Sequence, residues 1–375
     1  MIYLDNSATT YPKPEEVYKA LDYANRNLAF NAGRGNYKKA QEVTKIIDET
    51  RESIASLVGL NSSNVAFLSS ATECLNIIIN GLQLNDGDVV YISPFEHNAI
   101  VRPLFEIQKE KKIEIILIPF DKTTWHPDLK KFDEMMAIKK PKAVFVSQIS
   151  NVTGLMLDYI NIFEIAKKYQ AFTVLDSAQA FGVVNPNLKN VDFCVFAGHK
   201  SLYASFGIAG IIAKDFGLLN VTKSGGTGSD SLNHYMPNNG YGRVEAGSPN
   251  IVAIYGLHES LKWLNNNNIK EHEKALTSYL IEKLKHTGNV IAYIPSNPDD
   301  LFGIISINID GYNPADVGSI LSNEFDISVR TGYHCSPYVH EFIGSSKQSG
   351  TVRVSLGAFN TKSDIDKLVE ALSTL

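Results

Sequence analysis

The apolar run DFCVFA ends abruptly in Gly198-His199-Lys200. A lysine delivered by the end of a buried strand loses charge to burial, and its neutral amine can condense with a carbonyl. Taken alone, the same residues also describe a surface lysine in a turn. Upstream, FTVLDSAQ places Asp176 at the end of a second apolar run, with Gln179 soon after. A carboxylate there can keep a pyridine nitrogen protonated, which makes the ring a better store for electrons. Gln179 could donate to a phenolic oxygen. The plain alternatives are a helix cap for Asp176 and a surface amide for Gln179. VAFLSSATECLN runs from strand into helix and puts Ala71 and Thr72 at the helix start, where free N–H groups and the helix dipole attract an anion. Simple capping would explain that stretch equally well. SPFEHN sets His97 beyond another apolar run, where an imidazole could stack on a flat ring or sit as a structural histidine.

Each motif is weak by itself. Successive strand ends that offer an amine, a ring-nitrogen partner, an anion site and a stacking ring together point to pyridoxal 5'-phosphate (PLP). The chain has three cysteines. Cys74 and Cys194 fall in apolar patterns and read as core residues. Cys335 lies in RTGYHCSP, punctuated by Gly and Pro as loops are, with Arg330 and His334 near enough in sequence to favour its thiolate. Without the other motifs it would read as an ordinary loop thiol. Three potential ligands, His334, Cys335 and His340, share that loop, but a fourth is not evident, so no metal site is expected.

The elements that must position these residues follow from periodicity. Strand patterns occur at 64–69, 88–93, 113–118, 143–147, 172–176, 192–197 and 208–213, several of them almost unbroken apolar as in strands covered on both faces. Helical patterns lie between them at 71–81, 98–109, 129–137 and 160–169. This alternation predicts an α/β domain around a mostly parallel seven-stranded sheet, with ligands beyond the carboxyl ends of the strands. A long helical pattern at 38–57 precedes it, and 224–249 reads as ordered loop. A helix-rich stretch, 251–286, leads to strands at 303–309, 327–330 and 351–355 and helices at 314–323 and 363–372. The expected division is a large α/β domain over 14–255 and a smaller α+β domain made of 1–13 and 256–375.

Composition adds exclusions. The 375 residues are 44% hydrophobic and 20% charged, ordinary for a globular chain. A net charge of −5 argues against nucleic-acid binding. No signal peptide or membrane-length apolar run is visible, and widely spaced cysteines suit a reducing cytoplasm.

In order and spacing, YLDNSATT (3–10), SSATE (69–73), EHNA (96–99), SNVTG (150–154), LDSAQA (175–180), FAGHK (196–200), EAGSPN (245–250), VRTGYHC (329–335) and TVRVSLGAFNT (351–361) resemble the cysteine desulfurases of the class V aminotransferase family. The resemblance implies the PLP fold type I, a homodimer, and Lys200 as the Schiff-base lysine. It implies Asp176 at the pyridine nitrogen, Gln179 at the phenolic oxygen and His97 stacked on the ring. Ala71 (through its N–H), Thr72 and His199 would hold the phosphate, with Ser248 reaching across from a neighbouring subunit. Asn151 would touch cofactor or substrate, and Arg353, with Arg330 nearby, would bind the substrate carboxylate. Cys335 would take sulfur from L-cysteine as a persulfide, with His97 assisting proton transfer.

The short interval from Cys335 to Arg353 resembles the group with a compact catalytic loop, in which a dedicated sulfur-acceptor protein is usual. That sulfur would serve iron–sulfur clusters or thiolated tRNA and cofactors. Related expectations are a selenocysteine lyase, another class V aminotransferase or epimerase with an incidental Cys335, and, furthest off, a non-catalytic PLP scaffold. Ala197 stands where many relatives have a phosphate-binding serine, and Tyr37 where a histidine is common. Tyr338 and His340 are also unusual.

Overall fold

The structure is a computed structural model that describes all residues except Arg34, Ser229 and Asp230. Arg34, just before Tyr37 in the chain, and two residues of the 224–249 loop therefore lie outside the described residues. The seven expected strands form one sheet. Its order is Val65–Leu68, Ala209–Ala213, Phe193–Ala197, Phe172–Asp176, Pro141–Ser147, Val89–Ile92 and Glu114–Leu117. Pairing is parallel throughout except around Ala209–Ala213, which runs antiparallel to both neighbours. The central strands are buried along their length, as unbroken apolar sequences require, whereas the edge strand Glu114–Leu117 is half exposed.

Helices Ala71–Gly81, Asn98–Glu110, Leu129–Ile138 and Tyr159–Lys168 link these strands. Helix Glu15–Asn27 was not expected. It buries only Val17, Ala20 and Ala24 along a polar sequence, and it packs on helix Ile251–Asn265.

A second, antiparallel sheet has the order Arg330–Gly332, Thr351–Ser355, Ile304–Ile309, Val290–Tyr293. The single strand expected at 327–330 is divided in two. Ile327–Ser328 pairs with Ile2–Tyr3, while Arg330–Gly332 pairs with Thr351–Arg353. The amino terminus causes the division by adding a parallel partner that local sequence cannot announce. Beyond that pairing the terminal segment straps the two sheets together. Asp5 bridges to Ser355, and Thr10 N–H donates to the His199 carbonyl at 3.1 Å.

Candidate active site

The carboxyl ends of the parallel strands converge on a cavity of about 200 Å³. It is lined by Ser70, Ala71, Thr72, His97, Asn151, Asp176, Gln179, Ala197, His199 and Lys200, among others. Residues taken from separate motifs thus meet in one place. Strand Phe172–Asp176 ends at the Asp176 carboxyl, which accepts from Ala178 N–H at 3.0 Å. Burial pushes that carboxyl above its ordinary range, and Lys200 only partly opposes the shift. Lys200 is held below its ordinary value, again chiefly by burial. Thr72 and Ala71 sit in the first turn of helix Ala71–Gly81, whose cap Ser70 accepts from Glu73 N–H; the remaining first-turn N–H groups have no partner within the helix. His97 caps helix Asn98–Glu110 by accepting Ala99 N–H at Nδ1, 3.0 Å away, which leaves the proton on Nε2. Burial, with help from nearby Lys200 and arginines, lowers its pKa to about 3, so the ring is a neutral imidazole.

His199 stacks on Phe206 with ring centroids 4.5 Å apart, and its buried Nδ1 has no partner among the described residues. Its carbonyl is gripped by the terminal strap. Thr9 Oγ1 donates to it at 3.0 Å and Lys13 Nζ at 2.8 Å, fixing the peptide that carries Lys200. Burial brings Lys13 down to about 7. Gln179 turns toward the same strap, donating from Nε2 to the Ser7 carbonyl at 2.9 Å; its other N–H remains for a ligand.

The expected contact residues part ways here. Ser248 is exposed and lines other cavities, with Ser69, Glu73 and Lys223 in one of them. Cys335 does not line the Lys200 cavity. It opens onto an adjoining one that shares Thr72, His97 and Ala99 with it. Cys335 is exposed, while Cys74 and Cys194 are buried with their thiols pushed up by desolvation. Asn151 lines the Lys200 cavity, yet its amide is engaged by the Cys335 loop on both sides. Arg353 is buried; Nη2 donates to Asp5 Oδ1 at 2.7 Å, Nη1 to the Asn151 carbonyl at 2.9 Å, and Nε has no partner among the described residues. Arg330, more exposed, reaches within 3.9 Å of Asp5. Among the described residues, no cluster of three or more His, Cys, Asp or Glu could hold a metal, and no helix is long and apolar enough to cross a membrane.

Two polar residues matter here that motif reading passed over. Glu96 is fully buried. It accepts from Ser93 Oγ at 2.5 Å, Ser147 N–H at 2.7 Å and Ser147 Oγ at 2.8 Å, tying the ends of two neighbouring strands under His97. Asp5 holds Arg353 across nearly the whole length of the chain, a partnership no local pattern contains.

A carbonyl for Lys200, a cation for Asp176 and an anion for the first turn of helix Ala71–Gly81 would relieve the buried groups found here. The orphaned His199 Nδ1 adds one more partner to that set. A PLP molecule carries all of these functions, so the residues present fit it.

A family model described as aminotransferase class-V matches residues 2–368. Curated relatives include a "Probable cysteine desulfurase" of Pyrococcus abyssi, 30% identical, the match covering 100% of this chain and 94% of the relative. Another of the same description, from Methanothermobacter thermautotrophicus, is 28% identical with the same coverage. Among solved structures, an apo cysteine desulfurase from Thermococcus onnurineus superimposes with a TM-score of 0.91 at 28% identity, over 100% of this chain and 94% of that one.

Proposed function

The chain belongs to the aminotransferase class-V family, and we propose that it is a PLP-dependent cysteine desulfurase, converting L-cysteine to L-alanine and carrying the sulfur away on Cys335. The observation that carries this reading is the exposed thiol of Cys335 on a cavity that shares Thr72, His97 and Ala99 with the Lys200 cavity. A thiol there is open to solvent and borders three residues of the Lys200 cavity.

PLP, when bound, supplies an electron sink that stabilises charge left on the substrate Cα and weakens its Cβ–S bond. The chain's own residues do the rest. Lys200 would hold the cofactor carbonyl and then, as a free amine of lowered basicity, take the α-proton. Asp176 would face the pyridine nitrogen, Gln179 the phenolic oxygen and His97 the ring face. Ala71 N–H, Thr72 and His199 would hold the phosphate. Arg353 would bind the substrate carboxylate through its fork of donors, with Arg330 adding charge at the more open end.

Cys335 thiolate attacks the substrate sulfur. A sulfur–sulfur bond forms as the carbon–sulfur bond breaks, its electron pair stays on carbon, and a proton completes the alanine methyl group. His97 has only Nε2 free to assist with protons. The terminal persulfide on Cys335 then passes to an acceptor protein.

Ser248 lies too far round the surface to line its own subunit's cavity, which suits the reading of a homodimer in which it serves the partner's phosphate site. The reading keeps a large domain over 14–255 and a smaller one made of 1–13 and 256–375, and it places the protein in the cytoplasm.

The test is to add L-cysteine to the PLP-loaded protein and measure alanine and sulfide together, with and without a thiol acceptor. Equal alanine and acceptor-bound sulfur are expected. No alanine under any condition overturns the proposal.

A further inference from the structure

Asn151 lines the Lys200 cavity, and its amide is engaged by the Cys335 loop. Nδ2 donates to the His334 carbonyl at 2.7 Å, and Oδ1 accepts from Ser336 Oγ at 2.7 Å. One side chain therefore holds the residues on both sides of Cys335. Cys335 itself is held through its carbonyl, which accepts the Asn98 N–H at 2.7 Å. Asn98 begins the helix that His97 caps. A further tie comes from His334 Nε2, 2.9 Å from Thr351 Oγ1 on the strand that carries Arg353.

The backbone between these ties is not relaxed. His334 and Cys335 are consecutive non-glycine residues in the left-handed region, at φ 48° and 59°. Such conformations persist only where surrounding contacts impose them. In this held state the thiol faces the adjoining cavity rather than the one containing Lys200.

The same asparagine is tied to the carboxylate site. Its own carbonyl accepts from Arg353 Nη1 at 2.9 Å, and Arg353 Nη2 is on Asp5. A carboxylate that takes the Arg353 fork end-on competes with both of those acceptors. Losing the Nη1 contact frees the Asn151 backbone, which carries the side chain that holds the Cys335 loop.

We infer that Asn151 is a positioning residue that clamps the Cys335 loop in a resting place outside the Lys200 cavity, and that a carboxylate arriving at Arg353 opens the clamp. Sulfur acceptance is thereby coupled to an occupied substrate site, so the thiol is not delivered to an empty one. This deepens the desulfurase reading and rests on it for the role of Cys335. The clamp itself is a matter of chain geometry and can fail or stand independently.

Amide hydrogen exchange on the PLP-loaded protein tests it, because the Asn98 N–H is protected by Cys335 alone among the contacts described. L-alanine and ethylamine, the same amine without a carboxylate, are compared at concentrations that saturate the change in cofactor absorbance. L-alanine should speed exchange at Asn98 by roughly fivefold, the factor that corresponds to one net hydrogen bond. Ethylamine should leave it unchanged.

Ser336→Ala, which removes one arm of the clamp without entering the cavity, should show a similar increase with no ligand present. Ser336→Thr, which keeps the hydroxyl, should restore the slow rate. Amides inside helix Ala71–Gly81 should exchange alike in all samples, which separates loop release from unfolding. Unchanged exchange at Asn98 with L-alanine overturns the inference, as does an equal effect of ethylamine; these wild-type arms hold even if the Ser336 variants misfold. A protein that releases no alanine from cysteine but still shows the L-alanine effect at Asn98 loses the desulfurase reading and keeps the clamp.

Discussion

Asp5 Oδ1 lies 2.7 Å from Nη2 of Arg353, an ion pair between the amino-terminal strap and a strand near the other end of the chain. Arg330 stands 3.9 Å from the same carboxylate. Two guanidinium groups against one carboxylate leave one positive charge, which matches an amino acid with a single carboxylate. Arg353→Lys keeps the charge and loses the planar fork, so kcat/KM for L-cysteine should fall roughly 10–100-fold, mostly through KM. Asp5→Ala leaves the buried Arg353 without its counter-charge. It should cost about 2 kcal/mol of stability, less than for a wholly buried pair because Asp5 keeps some contact with solvent. Urea denaturation of the two variants checks the second effect, and steady-state kinetics the first.

Ala197 ends strand Phe193–Ala197 in the wall of the cavity beside Thr72 and His199, and is almost fully buried. A hydroxyl at that point faces the place proposed for the phosphate. Ala197→Ser should therefore bind PLP more tightly, by roughly 10–100-fold for one added hydrogen bond to a charged group. Equilibrium dialysis of apo protein against PLP measures this, and weaker binding by the serine variant would show that the phosphate does not sit there.

The parts of the site carried by strand ends were legible because each was bounded by its own strand. The run FTVLD stops at Asp176, and the run DFCVFA stops just before Lys200. A buried parallel strand can only be apolar, so its first polar residue marks the place where ligands sit. What the sequence could not show were partnerships between distant segments. Asp5 looks like any terminal acid until Arg353 folds against it. Asn151 reads as a cofactor contact, yet its amide is taken by His334 and Ser336. The strand expected at 327–330 failed for the same reason, because Ile2–Tyr3 takes half of it. Helix Glu15–Asn27 is less legible, because a thin stripe of Val17, Ala20 and Ala24 is all it buries.

Cys335 separates sulfur transfer from the rest of the chemistry. Cys335→Ser should keep the absorbance of bound PLP and its change on adding L-cysteine, since Lys200, Asp176 and Arg353 are untouched. Alanine formation and sulfur transfer should drop by at least about a hundredfold, because a hydroxyl is a far poorer nucleophile than a thiolate toward sulfur. A variant that still releases sulfur at the parent rate would make Cys335 incidental and favour a different class V activity.

Glu273 gives the protein a pH-dependent stability unconnected with sulfur. It is buried on helix Ile269–Leu284 and accepts the Tyr203 hydroxyl at 2.6 Å, joining the helical region after the main sheet to the segment that follows Lys200. Burial raises its carboxyl from the ordinary 4.5 to about 7, partly offset by that hydrogen bond. The folded protein therefore holds a proton that the unfolded chain gives up. The resulting stability is fully present below about pH 4.5 and is lost as pH rises through about 7, by about 3 kcal/mol in all. Glu273→Gln keeps an acceptor for Tyr203 and has nothing to titrate. Between pH 4.5 and 7 the difference in unfolding free energy between parent and variant should move in favour of the glutamine protein by that amount. Denaturation midpoints taken across the range measure it, and parallel pH profiles for the two proteins would mean that Glu273 ionises as freely in the folded state as in the unfolded chain.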